Sequence, residues 1–157
     1  MDGVIKLKNE SSVVYEKVLE FKKKYPMTVA WRLRQNSLVV EKHLNPGEEV
    51  LYAFCAQKND NPFNIISTAV IALTNQRILI GRKRVVFGYF LDSITPDLFN
   101  DLKVFSCIVW GKIHIDTLNE FVTLSNISKE ALSEIETKVS SFMMEEKKKY
   151  PSINKTR

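Results

Sequence analysis

Two histidines, two cysteines and five glycines are the scarce residue types from which a reaction centre in this chain would have to be built. The sequence holds no GxSxG nucleophile elbow, no HExxH zinc pair and no glycine-rich phosphate loop. His43 and His114 have no orienting partner at a useful spacing. His114 lies on the polar face of a predicted strand, where a solvated imidazole is expected. Cys55 and Cys107 form no CxxC pair and each sits in an apolar stretch. Both are expected to be reduced, buried thiols acting as small hydrophobes. No catalytic or metal-ligating set emerges, so a non-enzyme without a cofactor is expected.

The cations and large aromatics are more informative. Arg82-Lys83-Arg84 falls at a predicted turn between two strands, where three charges could meet anionic headgroups at ~1 kcal/mol each. The competing reading is a solvated cationic hairpin that discourages edge pairing. Lys58 is the one cation of a polar loop, with Asp60 close by. Arg77 opens a strand and could contact a ligand or pair with an acidic neighbour across the barrel end. Trp31 and Trp110 are anchors of the kind enriched at interfaces. The runs at 22–24 and 147–149 are diluted by Glu20, Glu145 and Glu146, so nucleic acid is not an expected partner.

The net charge is +5. Its excess lies in the two ends, while 49–127 balances seven cations with seven anions. No apolar run approaches the ~20 residues of a membrane-spanning helix. Met1-Asp2-Gly3-Val4 is not the start of a secretory signal, so a cytoplasmic location is expected, with peripheral membrane association as the variant.

Three zones must position these residues. Residues 1–45 predict a helical pair. The first helix is capped by Ser11 or Ser12, with Val14, Val18 and Phe21 on one face. The second runs from Pro26 to His43, with Met27, Trp31 and Leu38 as its stripe. From 49 to 125 the period changes to that of strands, expected at 50–57, 68–74, 77–82, 85–91, 103–110, 112–117 and 121–124. Asn75-Gln76 and Gly111 are expected turns, and 58–64 is a polar loop. From Ser128, Leu132, Ile135, Val139 and Phe142 keep helical spacing, with Ser128 as N-cap. The tail 145–157 is basic and expected to fray.

Three motifs resemble those of bacterial pleckstrin-homology-like (PH-like) domains. Leu44-Asn45-Pro46-Gly47-Glu48-Glu49-Val50-Leu51 is similar to their L-x-P-G-E-x-[IV]-L opening. Leu73-Thr74-Asn75-Gln76-Arg77 is similar to their LTNxR hairpin, and Asp92-Ser93-Ile94 to their short xSI segment. The resemblance covers about 44–144 and leaves the helical pair outside. It departs at the acidic stretch 95–101, and no oligomerisation helix follows Phe142.

The resemblance implies an α+β protein. A seven-stranded, bent PH-like β-barrel is capped by a C-terminal helix, spans 46–144, and is preceded by the helical pair and followed by a basic tail. It implies a bacterial, non-catalytic binding or scaffold module acting through protein–protein contacts, with self-association through sheet edges or the N-terminal helices. The alternative is a peripheral binder of anionic membrane surfaces or phospholipid headgroups through Lys58, Arg82, Lys83 and Arg84. Salt separates the two, since only the second weakens strongly with ionic strength. No small-molecule substrate is evident.

Overall fold

The computed structural model describes residues 12–59 and 64–150. Ser11, Asp60, Asn61, Pro62 and the tail 151–157, about which the sequence raised expectations, lie outside these residues. Helix α1 (Val13–Lys24) starts where Ser12 Oγ accepts from the Tyr15 N–H at 3.1 Å, filling one of the free donors of a helix start. Its face of Val14, Val18 and Phe21 is buried. The Phe21 ring packs on Tyr52 and Phe54, with centroids 6.3 Å and 5.9 Å away.

Helix α2 is shorter than expected, Leu33–Glu41. Lys22 Nζ donates to the carbonyls of Pro26 and Thr28, and the Val29 N–H donates to Asn126 O at 3.0 Å. These bonds hold 26–31 as a connection of turn and bend, so Trp31 lies in a bend and not on the helix. The buried face of α2 is Asn36, Ser37, Val39 and Val40, whereas Met27 and Leu38 are exposed.

Seven antiparallel strands follow: β1 (Val50–Gln57), β2 (Thr68–Thr74), β3 (Ile78–Lys83), β4 (Tyr89–Ile94), β5 (Phe99–Ser106), β6 (Trp110–Thr117) and β7 (Phe121–Ser128). They form a curled half-barrel in the order β4-β3-β2-β1-β7-β6-β5, which leaves β4 and β5 as edges. Every residue of β2 is buried, because helices cover the face that a solvated sheet would expose. α1 lies on β1 and α2 on β2 and β3. On β5 and β6 lies the C-terminal helical run: a 3-10 turn (Lys129–Ala131), α3 (Leu132–Ile135), a π-helical turn (Glu136–Ser140) and α4 (Ser141–Lys147). Leu132, Ile135 and Val139 are buried as expected, but Met143 completes the stripe in place of Phe142, which is half-buried. Val14, Val18, Phe21 and Val40 share one continuous core with the sheet, so the helical pair packs on its own barrel.

Several boundaries differ from expectation. β4 starts at Tyr89 and not Val85, because β3 pairs Lys83 with Tyr89 and leaves 85–87 as the hairpin tip, closed by Gly88 at φ 86°. β5 is Phe99–Ser106 and not 103–110, so the acidic stretch enters the strand through a bulge between Phe99 and Asp101. Its turn is 107–109, closed by the Cys107 N–H on Trp110 O at 2.9 Å. Cys107 is therefore exposed, while Cys55 is buried as expected. Burial pushes the Cys55 thiol up to about 12, which leaves it unreactive. β7 runs on to Ser128, whose N–H is taken by Thr28 Oγ1 at 3.0 Å, and the Ser128 side chain caps nothing.

Gly111 is not a turn residue. It pairs with Ser106 inside β6, where a Cβ would lie 2.4 Å from Leu132 Cδ1 and 2.7 Å from the Phe105 carbonyl oxygen. The C-terminal helical run can approach the sheet this closely only over glycine. Gly111→Ala is expected to cost about 1–3 kcal/mol through overpacking, measured by urea unfolding. An unchanged midpoint would show that the contact gives way freely.

Candidate functional site

Strand direction alternates through β1–β4, so the β1–β2 and β3–β4 connections share one end and the β2–β3 connection lies at the other. The second end is locked. Glu48, whose side chain is 0% exposed, receives Nε and Nη2 of Arg77, each at 3.0 Å. The same carboxylate accepts from the Asn45 N–H at 2.9 Å and the Thr74 hydroxyl at 2.6 Å. Arg77 Nη2 also reaches His43 O at 2.9 Å, and Nη1 reaches Ser93 Oγ at 3.2 Å. Burial opposes ionisation of Glu48, but Arg77, the Asn45 N–H and Thr74 outweigh it and hold the carboxyl below its ordinary range. Arg77 thus pairs with an acidic neighbour, and its donors are turned inward.

The first end is open and basic. Side chains alternate along β3, so Arg82 and Arg84 share one face and Lys83 takes the other. Arg82 and Arg84 both lie over the Phe90 ring, 4.6 Å and 5.4 Å from its centroid. Arg82 and Lys58 line one cleft of about 300 Å³ with Phe90, Leu91 and Asp92. Lys58 is ion-paired with Asp92 there. Arg82 Nη1 reaches Ile66 O at 3.4 Å, while its buried Nε has no partner. The structure therefore brings Lys58 and Arg82 together in one cleft, with Arg84 beside it on the Phe90 ring. Lys83 sits on the opposite face, beside Lys42, His43 and Tyr89.

Asn36 holds this end in shape. β2 and β3 part beyond the Val70–Gly81 pair. Asn36 Nδ2 donates to Thr68 O at 2.9 Å, and its Oδ1 accepts from the Lys83 N–H at 2.8 Å. One side-chain amide thus replaces the missing backbone rung. Beyond it the hairpin tip is apolar, with Val86 84% and Phe87 74% exposed.

Sequence reasoning missed Asn36, Asp92, Phe90 and this tip. For the tip a signal existed: an apolar triplet between a basic run and Gly88 is also what a loop closed by positive φ looks like. Asp92 becomes legible only once the β3–β4 register is known. Trp31 is half-buried against the Arg32 guanidinium, 5.3 Å from the ring. Trp110 donates its indole N–H to Met27 O at 2.6 Å. His114 is half-buried between the Phe105 and Phe121 rings, at 4.7 Å and 4.8 Å, rather than solvated. Among the described residues no cluster of His, Cys, Asp or Glu is placed to hold a metal, and no helix is long and apolar enough to cross a membrane.

A curled seven-stranded half-barrel with a C-terminal helix against it, locked at one end and open at the other, defines a module of the pleckstrin-homology type, a class that generally mediates binding. Residues 44–141 match the family model for the bacterial PH domain. The chain belongs to that family. A pleckstrin homology domain from Shewanella amazonensis SB2B, solved by crystallography, aligns with it at 11% identity and a TM-score of 0.44, covering 92% of this chain and 97% of that one. No curated protein matches the sequence. α1 and α2 both lie outside the family match, yet Asn36 of α2 shapes the basic end.

Arg77→Ala leaves the buried Glu48 charge unpaired and is expected to cost about 3 kcal/mol at neutral pH. Because Glu48 has a lowered folded pKa, its contribution is present above the ordinary glutamate value, about 4.3, and fades as pH falls through the folded one. In the variant, protonation relieves the orphaned charge. The penalty should therefore shrink in urea unfolding near pH 4 compared with pH 7. A pH-independent penalty would show that Arg77 acts through packing alone.

Proposed function

We propose that this chain is a non-catalytic, peripheral binder of anionic membrane surfaces, with the β3–β4 hairpin as its contact. The observation that carries this reading is the pairing of an exposed apolar tip, 85–87, with cations at its base. Apolar residues on a loop tip gain by entering the headgroup and acyl boundary. Cations one step behind would then lie at phosphate depth, where each contributes ~1 kcal/mol. The cleft between Lys58 and Arg82 suits a phosphate oxygen, with the unpartnered Nε of Arg82 as a spare donor. Asp92 competes for Lys58, so a phosphate entering the cleft replaces a carboxylate on the same ammonium group.

The protein-contact reading has weaker support from the same geometry. Trp110 spends its indole N–H inside the molecule, and Trp31 is half-covered by Arg32. The free edges β4 and β5 are what remains for self-association.

Co-sedimentation with phosphatidylserine-containing and neutral phosphatidylcholine vesicles tests the proposal. Binding to the anionic vesicles is expected to weaken from low to near-physiological salt. Arg82→Ala with Arg84→Ala should lower affinity roughly thirtyfold, two charges' worth. Asp92→Asn should raise it about fivefold, by removing the competing carboxylate. No binding at any salt would overturn the membrane reading and leave a protein partner or a second copy of the chain.

A further inference from the structure

The membrane contact above draws on Arg82 and Arg84 and leaves Lys83 on the other face of the β3–β4 hairpin. There a second cleft, of about 180 Å³, is lined by Lys83 with Gln35, Leu38, Lys42, His43 and Tyr89. Gln35, Leu38 and Lys42 are three and four residues apart, so they share one side of α2. Lys83 and Tyr89 are directly opposed in the β3–β4 ladder, so their side chains stand on the same face of the sheet.

Two clamps fix the walls of this cleft. In the first, Asn36 Oδ1 accepts the Lys83 N–H at 2.8 Å. In the second, His43 bridges α2 and β4. Its Nδ1 lies 2.6 Å from Val39 O, a carbonyl at the helix end that the His43 N–H passes over for Val40 O. A carbonyl can only accept, so Nδ1 carries the proton, and in the neutral ring Nε2 accepts. Tyr89 donates its hydroxyl to that Nε2 at 3.1 Å. Walls set by such bonds need little further ordering when a ligand arrives. The charge between them is of one sign: Lys42 and Lys83 line the cleft and no carboxylate does. Among the described residues neither ammonium group has an ion-pair partner. Glu41, next to Lys42 in sequence, is turned to α1, where it accepts from Ser12 Oγ and the Val14 N–H, each at 3.0 Å.

We infer that the cleft between α2 and the β3–β4 hairpin is an anion site of its own, and that it takes a phosphomonoester group. Its volume is below the ~300 Å³ of ordinary small-molecule pockets, so it suits one chemical group rather than a whole ligand. A phosphomonoester carries a charge of about −1.5 to −2 and three acceptor oxygens. The two ammonium groups balance that charge, and with the Gln35 amide they supply a donor for each oxygen. A phosphodiester, with a single charge, leaves one of the two cations unmatched. The ester can be a lipid headgroup or a soluble molecule, so the site stands without the membrane reading and extends it in the first case. Because α2 lies outside the family match, the site depends on the helical pair and not on the barrel alone.

Titration of the full chain with methyl phosphate, followed by backbone amide shifts in NMR, tests the site. Saturating shifts are expected at His43, Lys83 and Tyr89, and weaker binding of dimethyl phosphate. Lys42→Ala with Lys83→Ala should lower the affinity for methyl phosphate about tenfold. Lys23→Ala with Lys103→Ala removes the same charge outside the cleft and should leave it unchanged. All four lysines are exposed, so both variants should fold as the parent does. Vesicles of phosphatidic acid, a monoester, and of phosphatidylserine, a diester, at equal surface charge separate the two sources. A preference for phosphatidic acid that disappears in Lys42→Ala with Lys83→Ala supports the site and assigns it to a headgroup. Saturable methyl phosphate binding with no vesicle binding supports the site for a soluble ester and overturns the membrane reading alone. Without saturation by methyl phosphate and without a phosphatidic acid preference, the site is overturned while salt-sensitive vesicle binding stands. An equal loss in the Lys23 and Lys103 pair would also overturn it, as the mark of charge without a site.

Discussion

The buried ion pair between Glu48 and Arg77 is the constraint on which the rest of the molecule depends. A carboxylate with no solvent exposure is tolerated only when its lone pairs are filled. Here two guanidinium N–H groups, a backbone N–H and a threonine hydroxyl fill them. The pair joins the turn before β1, the β2–β3 turn, the end of α2 through His43 O, and β4 through Ser93. Two sequence motifs that look separate, Pro46-Gly47-Glu48 and Leu73-Thr74-Asn75-Gln76-Arg77, are the two halves of one clasp. Asn75 adds a third join, bonding both the N–H and the C=O of Glu49.

With that end closed, the basic cleft and the exposed hairpin tip stand at the other. The strands splay there, and Asn36 spans the gap between β2 and β3 where no backbone rung can reach. This buried asparagine explains why a helix lying wholly outside the family match belongs to the working end of the domain. It holds the Lys83 backbone on one side and the Trp31 carbonyl, at 3.1 Å, on the other. The same geometry divides Arg82 and Arg84 from Lys83, so a run of three cations becomes a cleft on one face and a flank on the other.

The face that a solitary sheet would show to water is occupied by α1 and α2. That is why β2 is apolar throughout, and why the helical pair cannot be separated from the core of the barrel. The clasp between Lys24, Glu134 and Tyr52 ties α1 to the C-terminal helical run through the edge of β1. Burial and the neighbouring Glu134 raise the Tyr52 phenol above its ordinary range, so it remains a hydrogen-bond donor at any physiological pH.

The sequence by itself determined the element types, the seven strands, the buried positions Leu132, Ile135 and Val139 of the C-terminal helical run, and the pairing role open to Arg77. These follow from local period, turn chemistry and motif, which neighbouring residues carry. It placed β4, β5 and α2 imperfectly, because Val85-Val86-Phe87 and Ile108 have the composition of strand and the position of turn, and Met27 the composition of a helix stripe. Only register separates these cases, and register is set by partners tens of residues away. Tertiary structure alone decided that Lys58 meets Arg82 and Asp92, that Asn36 completes a sheet, and that Trp110 reaches the Met27 carbonyl. Each of these is a meeting across a loop closure, whose outcome depends on the whole fold and on no single stretch of chain.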